Sequence, residues 1–481
     1  MKKHLYIIVL LSTIILFGAC QKALIEEPKS FLSPDQFFKS DEDAKQGVNG
    51  AYFWLVGAHP QRLFQQELWS YLDEECDNIL SKTVRGALNI SPVNPGDYTQ
   101  TMWNGCYRGV YAASQVIDKV AKSGTSPIKD RSVAEARFLR ALYYYYLTGI
   151  FRDVPLVTDK NYLAIEETRK LPRTPAADVR KLMIEDLNAA IAVLPLKYSD
   201  AGDKGRATKG AAQTLLTKVY LWNKDWKNAA TTAKTVQGYR LLANYADVFK
   251  SDNEFNDESI FEIDFKTDLL NSYQHAFYSP NSTVNVEPFA SKPWYGGYVP
   301  FKAYANSFET NDARKESIIA TGYNGKAFKP ETVYNTDVWF GPKWWRLDAG
   351  ERNSGLDIYV FRYADVLLML AEAANEDNDI TTALNAINQV RVRAKLAPLA
   401  GLTQEALRTA IRKERSIELV GEGHRKFDLV RWGIWFETAK AAMATEAPLR
   451  ANSLQKKYEY APIPAGEVQK DPALNPQNEG Y

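Results

Sequence analysis

The chain has 481 residues, enough for one large domain or two to three smaller ones. Its 59 Lys and Arg offset 58 Asp and Glu, and a net charge of +1 excludes the basic footprint of a nucleic-acid-binding protein. At 45% hydrophobic and 24% charged, the composition is that of a globular chain.

Lys2 and Lys3 precede an apolar run from Leu5 to Ala19, then Cys20. The run is shorter than the ~20 residues of a membrane span. A basic start, a short apolar centre and small residues at the end have the form of a secretory signal peptide. The junction resembles a bacterial lipobox, whose cysteine is acylated and becomes the first mature residue. The usual Leu three places before the cysteine is Phe17 here, with Leu16 one place further back. Residues 1–19 are therefore read as signal peptide, with Cys20 as the lipidation site. Residues 20–32 are read as a lipid-anchored tether and 33–481 as one domain. Two more cysteines, Cys76 and Cys106, sit where a disulfide is permitted. Two thiols in so large a chain make no disulfide framework, and two buried free thiols are the simpler expectation.

Helix signals begin at Ser33-Pro34 and then Ser40-Asp41-Glu42-Asp43, capping residues with acids at helix starts, and predict a first helix through Ala44 to Leu55. Long helices then come in pairs, over 103–121 and 133–151. A helix starting at Thr174-Pro175 carries Val179, Met183, Leu187 and Ala190 at helical spacing and ends near Leu194. Thr208 opens another pair, with a short turn at residues 223–226. A third pair spans 363–376 and 383–394, and Thr403 opens a helix through Leu419. Paired helices with Ala at close-packing positions resemble degenerate tetratricopeptide repeats, in which each pair buries a face only when its neighbour stacks on it. Trp103 and the run Tyr143 to Tyr146 read as packing within this scaffold.

Residues 240–360 differ. Helical periodicity fades, and Gly, Pro, Asn and aromatics rise. This predicts a loop-rich, aromatic-rich insertion with few short strands, one of them at 260–265. Residues 72–100 form a second loop-like break.

Several segments together resemble the SusD-like (RagB/SusD) family of outer-membrane nutrient-uptake lipoproteins. They are EARFLRALYYYYLTGIFRDVPLV (135–157), GRATKGAAQTLLTKVYLWNKDWKNAA (205–230) and FETNDARK (308–315). FRYADVLLMLAEAANE (361–376), ALNAINQVRVRAKL (383–396), RKERSIELVGEGHRKFDLVRWG (412–433) and the tail PIPAGEV and NPQNEGY complete the series. Arg152 stands where members usually have Gly. The resemblance implies a mainly α fold, with tetratricopeptide-like units backing an irregular ligand-binding half. It also implies a surface protein that captures an oligosaccharide or another nutrient for a SusC-like TonB-dependent barrel transporter in the outer membrane.

Sugar C–H faces stack on aromatic rings, and hydroxyls need directional hydrogen bonds, so Trp and Tyr beside polar side chains suit a glycan site. The insertion offers Trp294, Tyr295 and Tyr298 around two glycines, with Tyr273, and Trp339 near Lys343 and Arg346. The alternative for any single ring is a place in the insertion's own core. The resemblance adds the early loop region, where Asp73, Asn78, Arg85 and Tyr98 are candidates.

The charge cluster Arg415, Glu418, Glu422, Arg425 and Asp428 reads as a structural ion-pair network, although an enzyme would also pair carboxylates near His424. No nucleophile elbow, P-loop or metal-binding spacing occurs. No catalytic residue, cofactor or metal is expected. A ligand-free surface scaffold and a secreted glycosidase remain open; the latter needs two carboxylates facing across a cleft.

Overall fold

Side chains that close the first free amides set several of the helix starts. The computed structural model describes residues 37–57, 63–82, 97–162, 170–267, 269–330, 333, 335–350 and 354–481. The leader, Cys20, the tether and Arg85 lie outside these residues. In α1 (Asp41–Val56) the Ser40 hydroxyl accepts from the Asp43 amide and the Asp43 carboxylate accepts from the Ser40 amide, a reciprocal cap. Then follow α2 (Leu68–Asp73), β1 (Ile79–Ser81), α3 (Asp97–Lys122) and α4 (Pro127–Phe151). Both α3 and α4 start earlier than the periodicity suggested. For α4 the reason is local: Ser126 accepts from the Lys129 amide, and Pro127 fills the first turn, where its missing N–H costs nothing.

Next come α5 (Ala176–Val193), α6 (Lys209–Trp222) and α7 (Trp226–Lys234). Pro175 is the cap residue of α5 rather than its first helical residue. Thr208 and Asp225 cap α6 and α7 through their side chains. After β2 (Ser259–Ile263), β3 (Tyr298–Pro300) and β4 (Ile358–Arg362) the chain returns to helix. It forms α8 (Tyr363–Glu376), α9 (Ile380–Arg393), α10 (Gln404–Glu418), α11 (Arg425–Arg431) and α12 (Trp435–Glu446). The start of α9 precedes the expected one because Asp379 accepts from the Thr382 amide.

Successive helices stack as the pairing implied: α3 on α4, α4 on α5, α5 on α6, α6 on α7, α7 on α8, and α8 on α9 and α10. Two glycines allow the closest approaches. A Cβ at Gly109 would lie 2.2 Å from the Tyr143 ring, and one at Gly149 would lie 2.3 Å from Phe427. Tyr143 to Tyr146 are all buried, and Trp103 is buried with them. The Tyr143 hydroxyl donates to the Ala51 carbonyl and that of Tyr144 to the Val157 carbonyl, so their polar tips are satisfied inside the scaffold. Cys76 and Cys106 are free and buried.

The insertion is loop-rich, with two-stranded antiparallel ladders. β1 pairs with β3, Leu80 opposite Val299, and this fastens the early loop region to the insertion. β2 pairs with β4, Ile358 opposite Ile263.

Beneath these ladders lies a buried ionic core. Arg362 bonds Glu258, Glu418 and Glu422; Arg314 bonds Asp312, Glu414 and Glu418; Arg393 bonds Glu258 and Glu418. Burial pushes the Glu418 carboxyl up, but the guanidinium groups of Arg393, Arg362 and Arg314 outweigh it. They hold the group well below the usual carboxylate range. Arg415 bridges Asp365 and Asp428, while Arg425 pairs with Asp77. The cluster predicted at 415–428 is thus an enclosed ion-pair network. His424 is buried within it, and burial lowers its pKa to about 4, leaving a neutral ring 3.9 Å from Asp365.

Candidate functional site

The insertion turns most of its aromatic rings inward. Tyr298, expected at the ligand surface, is fully buried, and its hydroxyl donates to Glu74 Oε1 at 2.5 Å. Trp339 is equally buried, with the Lys82 ammonium 4.4 Å from its ring centre. Trp294 is 4% exposed; its indole N–H donates to the Gly350 carbonyl at 3.1 Å, and its ring meets His275 edge-on. Tyr278 stacks on Trp344 at 4.7 Å between ring centres and meets Tyr298 edge-on. The cause is physical. Short two-stranded ladders bury little area, so a loop-rich segment of this size needs large rings to form a core of its own.

The early region behaves in the same way. Asp73 is buried and accepts from the Tyr278 hydroxyl at 2.8 Å and the Gly423 amide at 3.0 Å. Burial pushes its carboxyl up to about 7 against these two hydrogen bonds. Asn78 is buried as well, and its carbonyl accepts from the Phe301 amide. The expectation that Asp73, Asn78, Trp294, Tyr298 and Trp339 face a ligand is therefore corrected: in this structure they fasten the insertion to the scaffold. Tyr273, Tyr295 and Tyr98 remain half-buried, so part of each side chain reaches the surface. Tyr295 leans on Phe277 with ring centres 4.9 Å apart. Nearby, a hollow of about 560 Å³ is lined by Thr321, Tyr323, Asn324, Lys326 and Trp345.

Three carboxylates, Glu254, Asp264 and Asp357, place oxygens within 4.8 Å of one another. The Lys266 ammonium already bonds two of them, Glu254 and Asp264, at 2.7 Å each. Burial, with Glu262 and Glu254 adding to it, pushes the Asp357 carboxyl up to about 8 despite its bond from the Phe265 amide.

A larger groove, about 950 Å³, lies on the helical side between α1 and α3. Three of its rings, Trp54, Tyr107 and Tyr111, were not singled out in the sequence. Their signal is a helical stripe of aromatics with Asn, Arg and Gln on one face of α3, which is easily taken for packing.

Two family models match the chain. SusD family covers residues 343–481, and a model described as starch-binding associating with outer membrane covers residues 33–221. The chain belongs to the SusD-like family. A SusD-like protein of Formosa agariphila is 29% identical, over 96% of this chain and 97% of its own. A SusD homologue of Bacteroides thetaiotaomicron shares the fold at TM-score 0.82 and 22% identity, covering 93% of this chain and 98% of that one. A laminarin-binding SusD-like protein superposes at TM-score 0.75 and 27% identity, covering 92% of this chain and 100% of that one. The helical SusD fold found here is the mainly α fold that the family resemblance implied. Among the described residues, no helix of this SusD-like protein is long and apolar enough to cross a membrane.

Proposed function

We propose that this SusD-like protein is a lipid-anchored binder at the outer membrane that captures an oligosaccharide and hands it to a SusC-like TonB-dependent barrel. The observation that carries the reading is the pair of family matches at the two ends of the mature chain, one described as starch-binding and outer-membrane-associating. The laminarin-binding relative supports a glycan as ligand. Lys2, Lys3, the apolar run and Cys20 support the anchor. With no described helix able to span a bilayer, a protein of this kind needs a separate channel to move its ligand inward.

Two measurements test the reading. A mild-detergent pull-down of the tagged protein from its native membrane should recover a large β-barrel partner. Its contact should exceed the ~1,000 Å² of a credible interface. Recovery of this chain alone at several salt concentrations would overturn the transporter complex and favour a ligand-free scaffold. Wild-type protein should take up labelled fatty acid, and Cys20→Ala should leave the membrane fraction; an unlabelled wild type refutes the anchor.

A further inference from the structure

The groove between α1 and α3 is built from rigid rings and free volume together. Trp54 comes from α1; Tyr107 and Tyr111 come from α3. On α3, Asn104, Arg108, Tyr111 and Gln115 follow one another at spacings of four, three and four residues, which is one face of a helix. The rings are held in place. The Tyr107 hydroxyl donates to the Pro155 carbonyl at 2.9 Å, and its ring rests 4.8 Å from Trp103. Tyr111 meets Tyr162 edge-on at 5.4 Å, and the Arg108 guanidinium sits 4.9 Å from the Trp54 ring. Platforms fixed in this way lose little freedom when a ligand stacks on them.

Gly50 adds an independent observation. Glycine inside a helix is disfavoured relative to alanine. Other helix glycines here have a packing reason: a Cβ at Gly47 would lie 2.4 Å from the Phe38 ring, and one at Gly105 would lie 2.8 Å from Leu63. A Cβ at Gly50 would meet nothing within 4 Å. Gly50 lines the groove, so what its missing side chain preserves is open space between the rings.

Fixed aromatic faces flanked by amide and guanidinium groups match a pyranose, with its apolar C–H face and its hydroxyl rim. At about 950 Å³ the groove lies in the upper range of ligand sites, with volume for more than one sugar unit. We infer that the α1–α3 groove is an oligosaccharide-binding site, formed by Trp54, Tyr107 and Tyr111 with Asn104, Arg108 and Gln115, and kept open by Gly50. This rests on the glycan-binding reading above and adds a location on the helical side, away from the insertion.

The test uses the full-length protein in mild detergent. A panel of α- and β-glucans, other plant and algal oligosaccharides and host glycans identifies the tightest ligand, which is then titrated by calorimetry. Trp54→Ala and Tyr111→Ala should each weaken binding about tenfold, the loss of one stacking ring. Gly50→Leu fills the groove with a better helix former. It should abolish detectable binding while the melting temperature stays level or rises, which separates blockage from misfolding. If Gly50→Leu and Trp54→Ala bind the ligand as the wild type does, the groove is overturned and the glycan-binding function stands. If that same unchanged binding comes with new protease sensitivity before Phe37, the groove seats the chain's own leading segment and the inference is overturned. A wild type that binds nothing on the panel overturns the glycan reading and the groove together.

Discussion

Replacing Arg362 with methionine removes the central cation of the buried ionic core at similar side-chain volume. Its guanidinium bonds Glu258 at 2.7 Å, Glu418 at 2.5 Å and Glu422 at 2.6 Å, and every one of these groups is buried. Arg393 still serves Glu258 and Glu418, Arg314 still serves Glu418, and Lys343 still serves Glu422. The variant therefore keeps its fold but holds under-compensated carboxylates, a defect worth about 3–5 kcal/mol. Unfolding entropy of about 2.1 cal/mol/K per residue converts this to a melting-point loss of roughly 3–5 °C for a chain of this length. The pH dependence carries the sharper test. In the wild type, Glu418 and Glu422 are held below the ordinary carboxylate pKa, so their stabilisation is complete above that pKa and is lost only in acid. In Arg362→Met the folded-state pKa of Glu422 rises, because its largest charge partner is gone. The variant then binds protons more readily folded than unfolded, and its stability falls as pH rises through the new pKa. The gap between wild type and variant should be widest near pH 7–8 and narrower near pH 5. Melting followed by circular dichroism at both pH values measures it. A gap that is absent, or that widens toward acid, refutes the ion-pair account.

Trp294→Ala should lower the melting temperature by about 3–5 °C, since truncating a buried tryptophan costs about 3–5 kcal/mol; an unchanged melting point with weakened glycan binding would return this ring to a ligand surface. Cys76 and Cys106 should resist a thiol reagent in the native protein and react in denaturant without prior reduction, and one bridged pair in that assay would contradict the free thiols. Asp357→Asn keeps an acceptor for the Phe265 amide but removes a carboxylate raised to about 8. A raised carboxyl makes the wild type lose stability between about pH 4 and pH 8, so the variant should gain on the wild type as pH rises from 5 to 9 in thermal melts. A gain that runs the other way would show that Asp357 is stabilised as an anion.

The scaffold was legible because its signals are local. Ser40, Thr208 and Thr403 each cap a helix within three residues, and the apolar stripes that follow name the buried faces. The burial of the insertion's rings was not legible, because it depends on partners far along the chain. Tyr298 meets Glu74 across 224 positions and Tyr278 meets Asp73 across 205. Nothing near Tyr298 in sequence distinguishes a ring that will bury from one that will stack on sugar, since both sit beside glycine and both need a polar partner for the hydroxyl.

Both halves of the molecule bury aromatic side chains, but the helical half can also leave some of them at its surface. In the insertion, short ladders leave large rings to exclude water, and buried Asp73 and Glu74 then receive the phenol hydroxyls those rings bring with them. On the helical side, backbone hydrogen bonds are satisfied within each helix, and Ala and Leu share the interfaces with buried rings such as Tyr143 to Tyr146. Rings there are not all needed to close the core. Trp54, Tyr107 and Tyr111 can stay half-exposed on α1 and α3 at little cost, because the stacked helices hold their positions. A recognition surface built on straight, fully bonded elements is also stiffer than one built on loops. A carbohydrate, which offers weak and repetitive contacts, gains most from such a surface, since little of the binding free energy is then lost in ordering the protein.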